Sequence, residues 1–133
     1  MMPVPSVLIS LSEGLGDEVA AVRDRLEDVV RGRGDAPRFT TDARETVAWV
    51  RDERFAVSFV DSEMEVHAGG QIWRVLRPLV GRRMVLMTRE RRRDVWFEAL
   101  QHGVAAVLPL PPRTRAVTAA LEAAIGPRRE TRM

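Results

Sequence analysis

The chain contains no cysteine and no lysine. The first absence excludes disulfides, thiolate nucleophiles, thiol redox chemistry and cysteine-based zinc sites, and with them a secreted disulfide scaffold. The second leaves all 21 basic residues as arginine, so no side-chain ammonium group exists anywhere in the chain. No apolar run approaches the roughly 20 residues a membrane span requires. The start, MMPVPSVLIS, lacks the basic n-region and the apolar length of a signal peptide. A soluble, cytoplasmic protein without membrane association is expected.

What is present fits one globular domain. The chain has 133 residues, 45% of them apolar and 30% charged, with a formal net charge of only +2, so a domain-sized core is within reach. The arginines are mostly interleaved with acids, as in VRDRLEDVVR and WVRDER. Nucleic-acid binding needs basic residues gathered on one face and is not expected here. The exceptions are RERRR from Arg89 to Arg93 and the tail PRRETRM, which read as a solvated helix start and a frayed end. No G-x-G-x-x-G follows the first strand and no phosphate-binding P-loop occurs. The acids behind the glycines of GLGDE would repel a phosphate.

Val7 to Leu11 is a short apolar run bounded by turn-formers, which predicts a buried strand. From Asp17 to Arg31, Val19, Val22, Leu26, Val29 and Val30 recur at helical spacing, with acids in the first turn and Gly32 as a stop. RGRGDAP is a loop, and Arg38 to Thr40 a short second strand. Asp42 caps a helix that runs through Arg54, with Glu45 completing a capping-box-like pair and Val47, Val50 and Trp49 facing inward. Phe55 to Val60 is a strand apolar except for Ser58, which suits cover on both faces.

After Gly69 and Gly70 a helix carries Ile72, Trp73, Leu76 and Leu79, with Pro78 expected to end or kink it near Arg77. Met84 to Met87 is the fourth strand, Glu90 to His102 a helix in which Phe97 and Leu100 make the inward pair, Ala105 to Leu108 the fifth strand, and Arg113 to Ile125 the last helix. Strand and helix alternate five times. Right-handed crossovers then give an α/β fold: a three-layer α/β/α sandwich on a five-stranded parallel sheet. The domain spans 1–126, and 127–133 is an arginine-rich tail or the start of a linker. In such sheets sites form beyond the carboxyl ends of the strands, where strand order reverses. That rule points at the residues after Leu11, Val60 and Met87.

Those strand ends carry a recognisable pattern. VLISLSE resembles a first-strand motif usually written VLIVDDE. FVDSEM, followed by Gly69, matches a third-strand motif of Asp, a Met three residues on and a Gly eight on. Thr88 ends the fourth strand at a Thr/Ser position, Gly103-Val104-Ala105 sits at a Gly-Ala turn, and Leu110-Pro111 falls on a Lys-Pro pair. In this order the motifs resemble the receiver domains of response regulators, from about Val7 to Ile125. The resemblance implies a flavodoxin-like (CheY-like) topology, with Asp61 at the phosphoacceptor position.

The departures matter as much. In the family two acids after the first strand hold magnesium together with the phosphoacceptor, and here they are Leu11 and Ser12; Glu13 matches the position after them. The family's lysine is Leu110, the proline after its Asp-x-x-Met is Glu65, and the switch aromatic of the fifth strand is Val107. Bound magnesium is therefore not expected, and no other cofactor is implied. Ser12, Glu63, Thr88 and Arg89 occupy phosphate-pocket positions around Asp61. Thr88 can instead cap the turn after its strand, and the Arg89 guanidinium can pair with Asp61 or Glu63 to mimic an activated arrangement. Glu13, Asp61 and Glu63 are the one acidic group that offers oxygen ligands. His67 and His102 stand isolated, His102 suiting the negative end of its helix.

The resulting expectation is a degenerate receiver domain with no enzymatic activity of its own. It would serve signal transduction as an interaction or dimerisation module, without efficient phosphorylation. Trp96 and Val107 are its candidate interaction residues, on the face between the fourth and fifth helices, and Trp96 there would be a hot spot. The partner is another protein, a fused output domain, or a second copy through the fourth helix, fifth strand and fifth helix. Two alternatives stand: a phosphoaccepting receiver of a histidine-to-aspartate relay using Asp61, and a receiver-like targeting domain at the front of a larger protein such as a pilus-assembly ATPase.

Overall fold

The computed structural model describes residues 6–64, 72–89 and 93–126. Within them strands and helices alternate: β1 (Ser6–Ser10), α1 (Glu18–Gly32), β2 (Ala36–Thr40), α2 (Ala43–Asp52), β3 (Val57–Asp61), α3 (Ile72–Val80), β4 (Met84–Thr88), α4 (Arg93–Gln101), β5 (Ala106–Pro109) and α5 (Thr114–Ile125). The five strands are parallel, in the order β2-β1-β3-β4-β5. None of the described helices is long and apolar enough to cross a membrane.

Period-two alternation along the strands builds a core on each face of the sheet. Val7, Ile9, Val57, Phe59, Val85 and Met87 meet Val22, Leu26 and Val30 of α1 and Val117 and Leu121 of α5. Leu8, Val60, Met84, Leu86 and Val107 meet Val50 of α2, Leu76 of α3 and Val95 and Ala99 of α4. Covering both faces with helices produces the expected three layers. The chain leaves β1 toward β2 and returns to place β3 on the other side, so the loops after β1 and β3 diverge. The cleft between them is the switch point.

Arginine fastens these layers. Arg25 Nη1 donates to the Pro112 carbonyl at 2.9 Å and Arg33 Nη2 to the Gly126 carbonyl at 2.9 Å, tying α1 to both ends of α5. Arg77 Nε donates to the His102 carbonyl at 2.7 Å, and Arg83 Nη1 to that of Phe55 at 3.2 Å. Gly103 has φ +83, and a Cβ there would stand 2.9 Å from Arg77 Nη2. The turn therefore needs glycine for its backbone and for the guanidinium beside it. Arg38 stacks on Trp49 and pairs with Glu53, and Arg23 stacks on Phe39.

Several local expectations are corrected. Asp42 caps α2 as foreseen, accepting from the amides of Arg44 and Glu45, but the reciprocal bond to its own amide comes from Thr40 Oγ1 at 3.0 Å rather than from Glu45. The helix stops at Asp52, two residues short of Arg54. Thr46 and Val50 are its buried residues, with Val47 and Trp49 half-buried. α3 runs through Pro78 to Val80, because a proline in the last turn removes one hydrogen bond with almost no helix left to lose. The side chains of Ile72 and Trp73 lie outside the described residues, as do Glu65, His67, Gly69, Gly70 and the tail 127–133.

The largest correction concerns α4. Phe97 and Leu100 do not face inward: Val95 and Ala99 are buried, while Phe97 is 66% and Leu100 45% exposed. In this rotation the short side chains of Val95 and Ala99 meet the sheet, and Glu98 pairs with Arg74 of α3. Trp96 is half-buried against that core, and Val107 is itself a core residue rather than a surface one.

Ser58 is 1% exposed and its hydroxyl finds no hydrogen-bond partner among the described residues. An unsatisfied buried hydroxyl costs about 1–3 kcal/mol. Ser58→Ala is expected to raise stability by about 1 kcal/mol, read as a higher denaturant midpoint at unchanged slope.

Candidate functional site

The site begins where β1 ends. Leu11 is fully buried, its amide donating to the Thr40 carbonyl at 3.1 Å and its side chain packed in the α1/α5 core. The next residue turns outward in extended conformation, and the Ser12 hydroxyl accepts from the Gly14 amide at 3.0 Å, capping the turn Glu13–Leu15. This cap aims the Ser12 amide across the switch point, where it donates to Asp61 Oδ2 at 3.1 Å. Asp61 ends β3, opposite Met87 in the register. Its other carboxylate oxygen, Oδ1, accepts from the Glu63 amide at 2.9 Å.

Both Asp61 oxygens therefore hold a backbone N–H, one from each diverging loop. The residue is fully buried. Burial is the main cause that raises its pKa above the ordinary carboxylate value, and the Glu63 charge adds to it; the two amide bonds and, last, the Arg89 charge oppose the rise. Arg89 is exposed and makes no ion pair with Asp61, acting on it only through space. The direct contact anticipated between them is not formed.

Two residues that the sequence did not single out, Ser10 and Thr46, support this arrangement together with the motif's Met64. Ser10, Thr46 and Met64 form a buried cluster, Ser10 Oγ lying 2.7 Å from Thr46 Oγ1 and 2.9 Å from Met64 Sδ. It anchors the start of the loop after β3 beneath α2, and thereby holds the Glu63 amide in place. The available signal was polarity: two hydroxyls at positions whose spacing demands burial.

Thr88 lies at the end of β4, one residue beyond the partner of Asp61. Its side chain is fully buried, and its hydroxyl finds no partner among the described residues. The Thr88 carbonyl accepts from the Leu110 amide at 3.0 Å, continuing the β4–β5 pairing beyond Pro109, and the hydroxyl makes no capping bond among the described residues. Leu110, at the lysine position, is 9% exposed and packs in the α1/α5 core.

A cleft of about 420 Å³ opens above, lined by Ser12, Glu13, Thr41, Glu63 and Met64 among others. Glu13 turns to Thr41, whose hydroxyl donates to it at 3.4 Å. Among the described residues no group of three acids or histidines is arranged to hold a metal ion. The magnesium ion that the receiver resemblance implies does not fit this donor set. The two carboxylates expected after β1 are missing: Leu11 has no side-chain oxygen, and Ser12 Oγ is a neutral hydroxyl that accepts from the Gly14 amide. What the arrangement does chemically is cross-link two loops through a desolvated carboxylate.

No protein-family profile matches the chain, and no curated protein is similar to it in sequence. Solved structures are similar in fold. A response-regulator receiver domain from Clostridium thermocellum is 15% identical, with a TM-score of 0.72 over 92% of this chain and 94% of that one. The receiver domain of a sensor histidine kinase from Pseudomonas aeruginosa, solved with magnesium coordinated in its active-site cleft, is 17% identical, with a TM-score of 0.70 over 93% of this chain and 99% of that one. A CheY-like receiver domain from Methanospirillum hungatei gives 16% identity and a TM-score of 0.69 over 90% and 92%. At such identities the likeness speaks for architecture alone, and it agrees with the strand order and the switch-point cleft: the chain has the receiver fold of response regulators.

Proposed function

We propose that this receiver fold serves signal transduction as an interaction module whose working state does not depend on phosphorylation of Asp61. One observation carries the reading: both Asp61 oxygens are held by backbone amides, while Leu11 and Leu110 fill the core where a metal ligand and a cation would be needed. An aspartyl phosphate carries about two negative charges at neutral pH in place of the carboxylate's one. Here it would form beside Glu63, with Arg89 as the one nearby cation acting on Asp61 among the described residues. The chain is proposed to perform no catalytic step of its own. Its partners are another protein, a fused output domain, or a second copy through α4, β5 and α5.

A second reading, a phosphoacceptor in a histidine-to-aspartate relay, is favoured by one feature. The Thr88 hydroxyl, one residue beyond the register partner of Asp61, has no partner among the described residues, as a pocket for phosphoryl oxygens would require. Incubation with acetyl phosphate and magnesium, followed by intact mass, separates the two. The expected result is unchanged mass. A stoichiometric gain of one phosphoryl group, lost in Asp61→Asn, would establish the second reading instead.

The cross-linking role of Asp61 is tested by stability. Asp61→Ala leaves the Ser12 and Glu63 amides without their acceptor and is expected to cost about 1–3 kcal/mol; Asp61→Asn keeps one acceptor and costs less. Because the folded pKa is raised, the wild type is most stable relative to Asp61→Asn at low pH, where Asp61 is protonated in both folded and unfolded chains. That advantage is lost as pH rises from the ordinary carboxylate range through the raised folded value. Denaturant midpoints of both proteins across this window check the sign, and a wild-type advantage that grows with pH would contradict it.

A further inference from the structure

The exposed large apolar side chains among the described residues are Leu79, Phe97 and Leu100. Phe97 and Leu100 sit three apart on α4 and so share one of its faces. Trp96, half-buried against the core, extends that face toward the sheet, and Arg93 lies one turn before Phe97. Together Arg93, Trp96, Phe97 and Leu100 line a cleft of about 440 Å³.

Charge is segregated around this helix. The two acids of α4, Asp94 and Glu98, lie four apart in a single row, and that row is turned to α3 by the Arg74–Glu98 ion pair. The apolar row is left with a cation. Arg93 is exposed and makes no ion pair among the described residues, and the exposed Arg89 stands at the approach to the helix.

The occupant must therefore supply carboxylates beside apolar anchors. A second copy of the same face does not. In an antiparallel pairing centred on Phe97, Arg93 falls opposite Gln101, and in a parallel one it meets another Arg93.

From this segregation we propose that the Arg93–Leu100 face of α4 docks an acidic amphipathic helix of a partner protein. Its apolar residues would cover Phe97, Leu100 and the exposed edge of Trp96, and a carboxylate would pair with Arg93. The proposal rests on the interaction-module reading and names the chemistry of the partner.

The test uses the full chain and a fluorescent synthetic helix with leucines at i, i+3, i+4 and i+7 flanked by glutamates. The same peptide with every glutamate replaced by lysine and one with its leucines scrambled serve as comparisons. The acidic peptide is expected to bind saturably, one to one, and about tenfold or more tighter than either comparison. Phe97→Ala, at an exposed position that leaves the core intact, is expected to weaken binding about tenfold, and Arg93→Glu to invert the preference toward the lysine peptide.

Equal affinity for the acidic and basic peptides, or no saturable binding either with or without acetyl phosphate and magnesium, overturns the proposal. So does a sedimentation profile showing a dimer that Phe97→Ala dissociates, since that assigns the face to a second copy. Repeating the titration with acetyl phosphate and magnesium separates this proposal from the reading beneath it. Unchanged affinity supports both. Binding that appears only after Asp61 is phosphorylated keeps the docking face and removes the phosphorylation-independent reading.

Discussion

A carboxylate taken out of water at the end of the third strand organises the functional end of this molecule. Desolvation disfavours its charge, and the usual remedies are a metal ion, a close cation or several hydrogen bonds. The structure gives Asp61 two backbone amides from two loops, with the Arg89 charge as the smallest of the contributions that favour ionisation. Those bonds do not offset the desolvation, so the carboxyl titrates above its ordinary range. What the group gains instead is a structural part: it joins the loop after β1 to the loop after β3 across the point where the sheet reverses. The hydroxyl and thioether cluster of Ser10, Thr46 and Met64 secures the second of those loops from below.

The absence of lysine finds its counterpart in how arginine is used. Four arginines reach across the fold to carbonyl groups at helix and loop ends, two others stack on aromatic rings, and several pair with acids. A planar guanidinium with several donors suits such carbonyl and ring contacts better than a compact ammonium does. The net charge of +2 is thus distributed into scaffold contacts. Of the exposed arginines, Arg89 follows β4 and Arg93 opens α4, where it lines the cleft on the helix's apolar face.

Much of the fold was legible in the residues. Short apolar runs separated by amphipathic stretches specified every strand and helix to within a few residues, because the period-two and period-3.6 patterns are enforced by burial. The strand-end motifs put Asp61 and Thr88 at strand ends, and they are the last residues of β3 and β4. The rotation of α4 was not legible. Val95, Trp96, Phe97, Ala99 and Leu100 offer two competing apolar faces, and the choice depends on packing against the sheet and α3, where Glu98 meets Arg74. The state of the site was hidden for a similar reason. Whether the Thr88 hydroxyl caps a turn, or Arg89 meets Asp61, depends on distances between strand ends that no local pattern encodes.

The central claim is that Asp61 is a buried, cation-poor carboxylate engaged by backbone amides. Its side-chain carboxyl carbon can be followed directly by NMR as a function of pH, with and without magnesium. The account predicts a midpoint above the ordinary aspartate value of about 4, unmoved by the metal. A midpoint at or below that value, or one that drops when magnesium is added, would contradict it.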